Sequence, residues 1–392
     1  MVDLPKSIDF AKLRFSTSGV GSGQTTPYRT AYNYTSAGSL YSGGLQNSSL
    51  LANPDLKPLR TITNEAGFAL KMFKNRLDLD VAAYSGITKD QILERIIDRS
   101  SGYTRAVINA GEVRNKGLEV ALNGTPVKSA SGFKWTTGVV FSANENRITE
   151  LADSSVVLQT GRVGGGQIVA KVDGSMGDLY GRGYVRAPDG QVVYNAATGF
   201  AQISPDVTYL GNTIPKWKLG FSNSFQYKNF RLNLLFDGQY GAVAHSLMHY
   251  KLAEQGKTTN TLPGRYNGII GNGVVLDVDG KYVPNTTIAT DIDEYYRSHF
   301  GIDNAEGSTF STDFIKFREA RFDYTFQPKL IQRIGLQRAT IGVYGRDLYI
   351  WSNWPAFDPE FGTLSGTDIV RGFEIGQFPS TRSMGVNLVV GF

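Results

Sequence analysis

The feature that most constrains this chain is an alternation of apolar and polar side chains with a period of two residues. The last ten residues set Met384, Val386, Leu388, Val390 and Phe392 against Ser383, Gly385, Asn387, Val389 and Gly391. Residues 230–240 repeat the pattern, with Leu232, Leu234, Phe236 and Tyr240 opposed by Arg231, Asn233, Asp237 and Gln239. Leu219, Phe221, Phe225 and Tyr227 oppose Gly220, Ser222, Ser224, Gln226 and Lys228. Phe322, Tyr324 and Phe326 oppose Glu319, Arg321, Asp323 and Thr325, and Leu77, Leu79 and Val81 oppose Asp78 and Asp80. Successive side chains of an extended strand point to opposite faces, so each stretch reads as a strand with one apolar and one polar side. Such strands build an antiparallel sheet, and alternation alone fits a soluble sandwich as well as anything else.

The connections separate the possibilities. Between strands near 61–73 and 77–87 lie only Lys74-Asn75-Arg76, and between 215–227 and 230–241 only Lys228-Asn229. Both are tight polar hairpins of the kind Asn favours. The links near 124–132 and 327–336 are also short, whereas those near 19–60, 88–103, 147–214, 242–312 and 349–382 are long. Short and long links therefore take turns along ten expected strands. A transmembrane β-barrel has a cause for this: its turns are short at one rim and its loops long at the other. A sandwich has no reason to gather every long loop at one end.

Composition agrees and excludes other classes. Gly and Pro supply 59 of 392 residues and Phe, Trp and Tyr another 46, with only 19% charged, which speaks for β structure and against disorder. With no cysteine, disulfide frameworks, thiolate metal sites and cysteine nucleophiles are excluded together. The net charge of +5 over this length is no nucleic-acid footprint. No stretch approaches the roughly 18–20 apolar residues of a spanning helix, a test that β-strands escape. Met1-Val2-Asp3-Leu4-Pro5-Lys6 lacks the pattern of a signal peptide.

Sites for chemistry are sparse, and no catalytic constellation or cofactor is expected. His245 and His249 have i,i+4 spacing, but Ser246 stands where a zinc-protease motif needs Glu, so solvent-facing loop histidines are expected there and at His299. The carboxylates at Asp277, Asp279, Asp291, Asp293 and Glu294 read as surface turns, since no EF-hand continuation follows Gly280. Gly164-Gly165-Gly166 has no strand-to-helix context for a phosphate cradle. Ile92–Ile97 fits either a helical turn or a strand. Tyr349, Trp351 and Trp354 crowd one rim, where aromatics form an interfacial girdle or else contact substrate or a lid protein. Arg231, Asn233, Asp237, Gln239, Glu319, Arg321 and Asp323 are expected to face water inside the barrel, because an Arg facing mid-bilayer costs about 2–4 kcal/mol.

Several stretches resemble, in order, the SusC/RagA-type TonB-linked outer-membrane transporters of Bacteroidetes. They are Ala11-Lys12-Leu13-Arg14-Phe15-Ser16, Asn53-Pro54-Asp55-Leu56-Lys57, Asn115-Lys116-Gly117-Leu118-Glu119-Val120 and Gly211-Asn212-Thr213-Ile214-Pro215-Lys216. Tyr227-Lys228-Asn229-Phe230, Phe314-Ile315-Lys316-Phe317-Arg318-Glu319 and Asp358-Pro359-Glu360 continue the series. Gly345-Arg346-Asp347-Leu348 departs from the family's pattern by carrying Asp where Asn is usual, and Lys171–Gly181 follows its pattern only loosely. Val386, Leu388, Val390 and Phe392 resemble the C-terminal signal read by the barrel-assembly machinery.

The resemblance implies the last ten or so strands of a 22-stranded barrel, with signal peptide, plug domain and earlier strands outside this sequence. It implies an outer-membrane importer of glycans, oligosaccharides or peptides that works with a SusD-like surface lipoprotein. TonB would act only through the N-terminal region that is missing here, so this part is not expected to transport alone. The competing class is a secreted, soluble all-β glycan-binding module.

Overall fold

The computed structural model describes residues 5–23, 27–38, 43–152, 154–160, 166–360 and 372–392. Ten long strands form its main sheet. They are β1 (Ile8–Ser22), β2 (Leu59–Met72), β3 (Leu77–Lys89), β4 (Glu112–Lys128) and β5 (Phe133–Glu150), then β6 (Trp217–Tyr227), β7 (Phe230–Tyr240), β8 (Phe314–Thr325), β9 (Arg338–Ser352) and β10 (Ser383–Gly391). Sheet order is chain order and every neighbouring pair is antiparallel, so this is an uninterrupted up-and-down meander. The ten strands match those expected, although several reach further than the alternation marks; β5, for example, continues to Glu150.

All four short links lie at one end of the sheet and all long ones at the other. The first turn holds Phe73, Lys74 and Asn75 at φ of 59°, 60° and 57°. Its Asn75 N–H donates to the Asp9 carboxylate at 2.8 Å. Left-handed residues in so short a link let the turn follow the right-handed twist of its strands.

The long links are folded rather than structureless. Ile92–Ile96 is a strand, paired with Arg105–Asn109. Residues 151–216 carry a four-stranded sheet. Residues 241–313 carry two helices absent from the reading of the sequence, α1 (Leu247–Glu254) and α2 (Ile292–Phe300), N-capped by Ser246 and Asp291. The carboxylates at 291–294 therefore begin a helix instead of forming the expected turn. Asp277 does hold a turn, accepting the N–H groups of Asp279 and Lys281 between two short paired strands. Gly164 and Gly165 lie outside the described residues.

The buried apolar core sits in these loops. One cluster joins Leu93 and Ala110 to Val156, Ile168, Leu179 and Phe373, residues from three separate links. A second joins Tyr194 and Ala201 to Val275, Ala289, Tyr295 and Tyr296. The apolar face of the sheet is instead open along its interior strands, where Leu118 is 40% exposed, Phe221 39%, Phe322 44% and Val343 52%, and more so at its edge strands. The histidines reverse the expectation of solvent-facing side chains. His245 and His249 are buried, and His249 packs edge-on against Phe300 and Phe310.

Candidate functional site

The polar face of the sheet carries ladders of charged and amide side chains. Register pairs Arg231 with Asp323, Asn233 with Arg321 and Leu235 with Glu319. The seven residues expected on this face are placed there, and their partners run sideways. Arg321 Nε donates to both Asp323 oxygens at 2.9 and 3.0 Å, Arg346 Nε donates to Glu319 at 2.9 Å, and Ser224 Oγ donates to Asn233 at 2.8 Å. Arg231 donates to Gln226 at 3.2 Å and Gln239 to the Thr312 carbonyl at 2.9 Å.

At the loop end, alternation alone misplaces the charges. The register of β8 slips between Phe317 and Glu319 against both β7 and β9, leaving Arg318 unpaired in either ladder. Such a bulge shifts the parity of the strand. Without it Arg318 would share a face with Ala320 and Phe322. With it, Lys316 lies opposite Asp237 and Phe317 opposite Phe236. Asp347, at φ 52°, makes the matching irregularity in β9.

The bulge gathers one ion network. Arg318 Nε and Nη2 grip Asp237 at 2.5 and 2.8 Å, Nη1 reaches Asp347 at 3.2 Å, and Nη2 also contacts Glu360. Lys316 is 1% exposed, and its Nζ sits 2.6 Å from Asp358 and 2.5 Å from Glu360. Burial pushes the Asp358 carboxyl up, but Lys316 and the Glu360 N–H outweigh it and hold the group below the usual range. Burial likewise raises Glu360, and Lys316 with Arg318 overrides it. The loop after β9 is thereby pinned to the sheet by a fully buried cation. Its far side is tied as well, because Glu374 accepts from Ser246 Oγ at 2.8 Å and the Met248 N–H at 3.1 Å, at the start of α1.

A second cluster lies at the other edge of the sheet. Arg14 Nη1 and Nη2 meet Asp80 at 2.8 and 2.6 Å, with Glu65 at 3.4 Å. Between them Gly67 leaves room for the guanidinium, since a Cβ there would lie 2.8 Å from Arg14. Gly117 plays the same part under the Tyr84 ring, whose hydroxyl donates to Asn144 at 3.1 Å. No group of acidic or histidine side chains able to hold a metal is found among the described residues.

The rim aromatics divide. Tyr349 and Trp351 lie in register with Phe317 and Ile315 on the apolar face, half exposed and with ring centroids 4.7 Å apart. Trp354 is buried and packs edge-on to Phe310. Val386, Leu388 and Val390 form the apolar row of β10, which pairs only with β9 among the described strands; Phe392 just beyond is 84% exposed. Lys316, Arg318, Asp358, Glu360, Arg14, Glu65 and Asp80 were not among the residues expected to matter for function. The only sequence signal for them is that several sit inside the stretches carrying the family resemblance.

Comparison with known proteins places this architecture. Residues 12–170 match the family described as TonB dependent receptor-like, beta-barrel. TonB-dependent receptors P3 and P26 of Formosa agariphila are 25% and 26% identical over 96% and 97% of this chain, covering 39% and 40% of their own length. The chain of the RagAB peptide transporter superposes with a TM-score of 0.75 at 17% identity, over 99% of this chain and 41% of its own; the RagAB importer in its closed-closed state gives 0.73. In fold the sheet matches part of the β-barrel of TonB-dependent receptors. The chain spans about two-fifths of the length of the relatives it matches.

Proposed function

We propose that this chain forms part of the wall, and the folded external loops, of a TonB-dependent importer in the outer membrane. The long links face outside and the short turns face the periplasm. The cargo is peptide or oligosaccharide, handed over by a surface lipoprotein seated on the loops. Transport needs parts of the receptor beyond the matched region, so the 392 residues alone give no TonB-driven uptake.

One observation carries the reading: the sheet is bare where a soluble protein would be covered. Its exposed apolar face is bounded by aromatics at both ends. Phe230 and Tyr324 lie 4.9 Å apart near the short turns, while Trp217 stacks on Tyr240 at 5.5 Å and Phe236 on Phe317 at 4.7 Å near the loops. From Phe230 to Tyr240 is ten residue steps, about 25 Å along the membrane normal at ordinary rise and tilt. That equals the apolar band of a transmembrane barrel. A soluble glycan-binding module would have to leave that whole face in water.

The test is the gel mobility of the native protein in outer membranes, detected with an antibody to residues 383–392. A band well above 42.9 kDa that shifts between unboiled and boiled lanes supports the reading. A soluble, unshifted band near that mass would overturn it.

A further inference from the structure

We propose that the short-turn end of the sheet is a cationic collar that binds the headgroups of acidic phospholipids in the adjoining membrane leaflet. The inference rests on the membrane reading above and adds to it a lipid preference located at one rim.

The charge of this chain is unevenly distributed. The four segments around the short links, residues 71–78, 127–134, 226–231 and 325–338, contain ten Lys or Arg and a single acid, Asp78. The rest of the sequence holds 30 basic against 34 acidic residues, so the entire positive excess is at this end. Lys71, Lys74 and Arg76 flank the first turn, and all are exposed. Lys228 in the third link is exposed too. Lys128, Lys134 and Arg231, beside the second and third links, are exposed on the polar face and add to the charge of the rim without facing the lipid side. Among the described residues, only Lys71 of the ten has a carboxylate within 4 Å, Asp78 at 3.8 Å. Two further acids stand close by and are engaged elsewhere: Asp9 by the Asn75 N–H, and Asp323 by Arg321.

The collar stands at headgroup depth. Tyr227, Phe230 and Tyr324 mark the edge of the apolar band, and Lys228 Nζ lies 5.2 Å from the Tyr227 ring centroid. Lys74, Lys134, Lys228 and Lys329 each follow an aromatic (Phe73, Phe133, Tyr227 and Phe326) by no more than three residues, which is about 10 Å or less. The fourth link adds an apolar element. It makes a short helical turn on which Leu330 is 58% and Ile334 72% exposed, each preceded by an exposed cation, Lys329 and Arg333. Exposed apolar side chains flanked by Lys and Arg are the chemistry of an interfacial anchor on an acidic lipid surface.

The intact receptor is reconstituted in vesicles of an equimolar mixture of phosphatidylcholine and phosphatidylglycerol in which one or the other lipid is dibrominated, and quenching of tryptophan fluorescence is read. Trp135, on the apolar face near the short turns and 5.9 Å from Phe225, is well placed to report. The expected result is an apparent preference for phosphatidylglycerol of about fivefold or more, the effect of one basic residue at an anionic surface. It should vanish at about 1 M salt, where the Debye length is about 3 Å. It should also vanish in the variant Lys228→Gln/Lys329→Gln/Arg333→Gln/Arg338→Gln. The charge-preserving variant Lys329→Arg/Arg333→Lys should retain it. Equal quenching by both lipids, or a preference that survives the four neutral substitutions in receptor that still shifts on heating, overturns the collar and leaves the importer reading intact. Absence of quenching by either lipid overturns the membrane reading itself.

Discussion

Replacing Lys316 by Met should release the loop after β9 while leaving the sheet folded. The side chain is 1% exposed and is the only cation on Asp358 among the described residues, whereas Glu360 keeps Arg318. Met fills most of the volume, so packing changes little and the effect is electrostatic. Removing one partner of a buried ion pair typically costs about 3–5 kcal/mol, because a charge is left in a poor solvent. Asp358 is 12% exposed, and opening the loop rehydrates it, so about 3 kcal/mol is expected. That favours the open loop about a hundredfold. The assay is amide exchange of the intact receptor, comparing peptides over 353–360 with those over the β6–β7 hairpin as an internal control. Acid should move the two proteins in opposite directions. In the wild type the Asp358 carboxyl is held below its unfolded value. Its stabilisation is therefore present above the ordinary carboxylate range and is lost as pH falls below about 4. In Lys316→Met the carboxylate is charged at a penalty, so protonation should close the loop again. Exchange over 353–360 at the wild-type rate in folded Lys316→Met would refute the latch.

Other substitutions test the rest of the sheet and its loops. Gly117→Val would place Cβ 2.3 Å from the Tyr84 ring and displace it, a cost of about 1–3 kcal/mol that Tyr84→Ala should partly relieve, read as the fraction of heat-shifting band. Leu388→Arg on the exposed apolar row should cost about 2–4 kcal/mol in vesicle folding titrations, whereas Asn387→Arg, on the polar face beside Arg321, should cost much less. The loops should loosen in mild acid. Burial pushes His245, His249 and His299 down to about 4, so each stays neutral when folded and takes a proton near 6.5 when unfolded. Stability is then lost as pH falls from about 6.5, levelling off below about 4, by about 3 kcal/mol for each histidine. Proteolysis within 241–313 should rise over that interval and fall back in His249→Gln; an unchanged pattern across the interval would count against the buried, neutral histidines.

The wall was legible because a single physical rule writes it. A strand with one apolar and one polar face alternates, so β6, β7 and β10 could be read from the pattern apart from Asn223, on the apolar face, and Leu235 and Val389, on the polar one. The tight turns at Lys74-Asn75-Arg76 and Lys228-Asn229 joined β2 to β3 and β6 to β7. The loops obey no such rule. Helices α1 and α2 are short, and apolar residues of α2 meet partners contributed by another link, as Tyr295 and Tyr296 cluster with Tyr194 and Ala201. Nothing within either helix announces that burial, and the same holds for the histidines, which look hydrophilic until Phe300, Phe310 and Ser308 close around them.

The ion network shows where the alternation rule itself stops. Extended backwards from Phe322, it assigns Arg318 to the apolar face and Phe317 to the polar one. An Arg at that position would stand among the side chains of the apolar face, and the conflict is removed only if the strand slips by one residue between them. The slip needs a matching irregularity in β9, which Asp347 supplies at positive φ, where Asn and Asp are the commonest residues other than Gly. The sequence departure from Asn to Asp thus keeps the backbone geometry and adds a carboxylate 3.2 Å from Arg318. A charged residue on the wrong parity of an otherwise regular strand is therefore a readable sign of a bulge. The partners in the network are not readable in the same way, because Asp358 reaches Lys316 and Glu360 reaches Arg318 from 42 positions away through a loop whose path the strand pattern does not constrain.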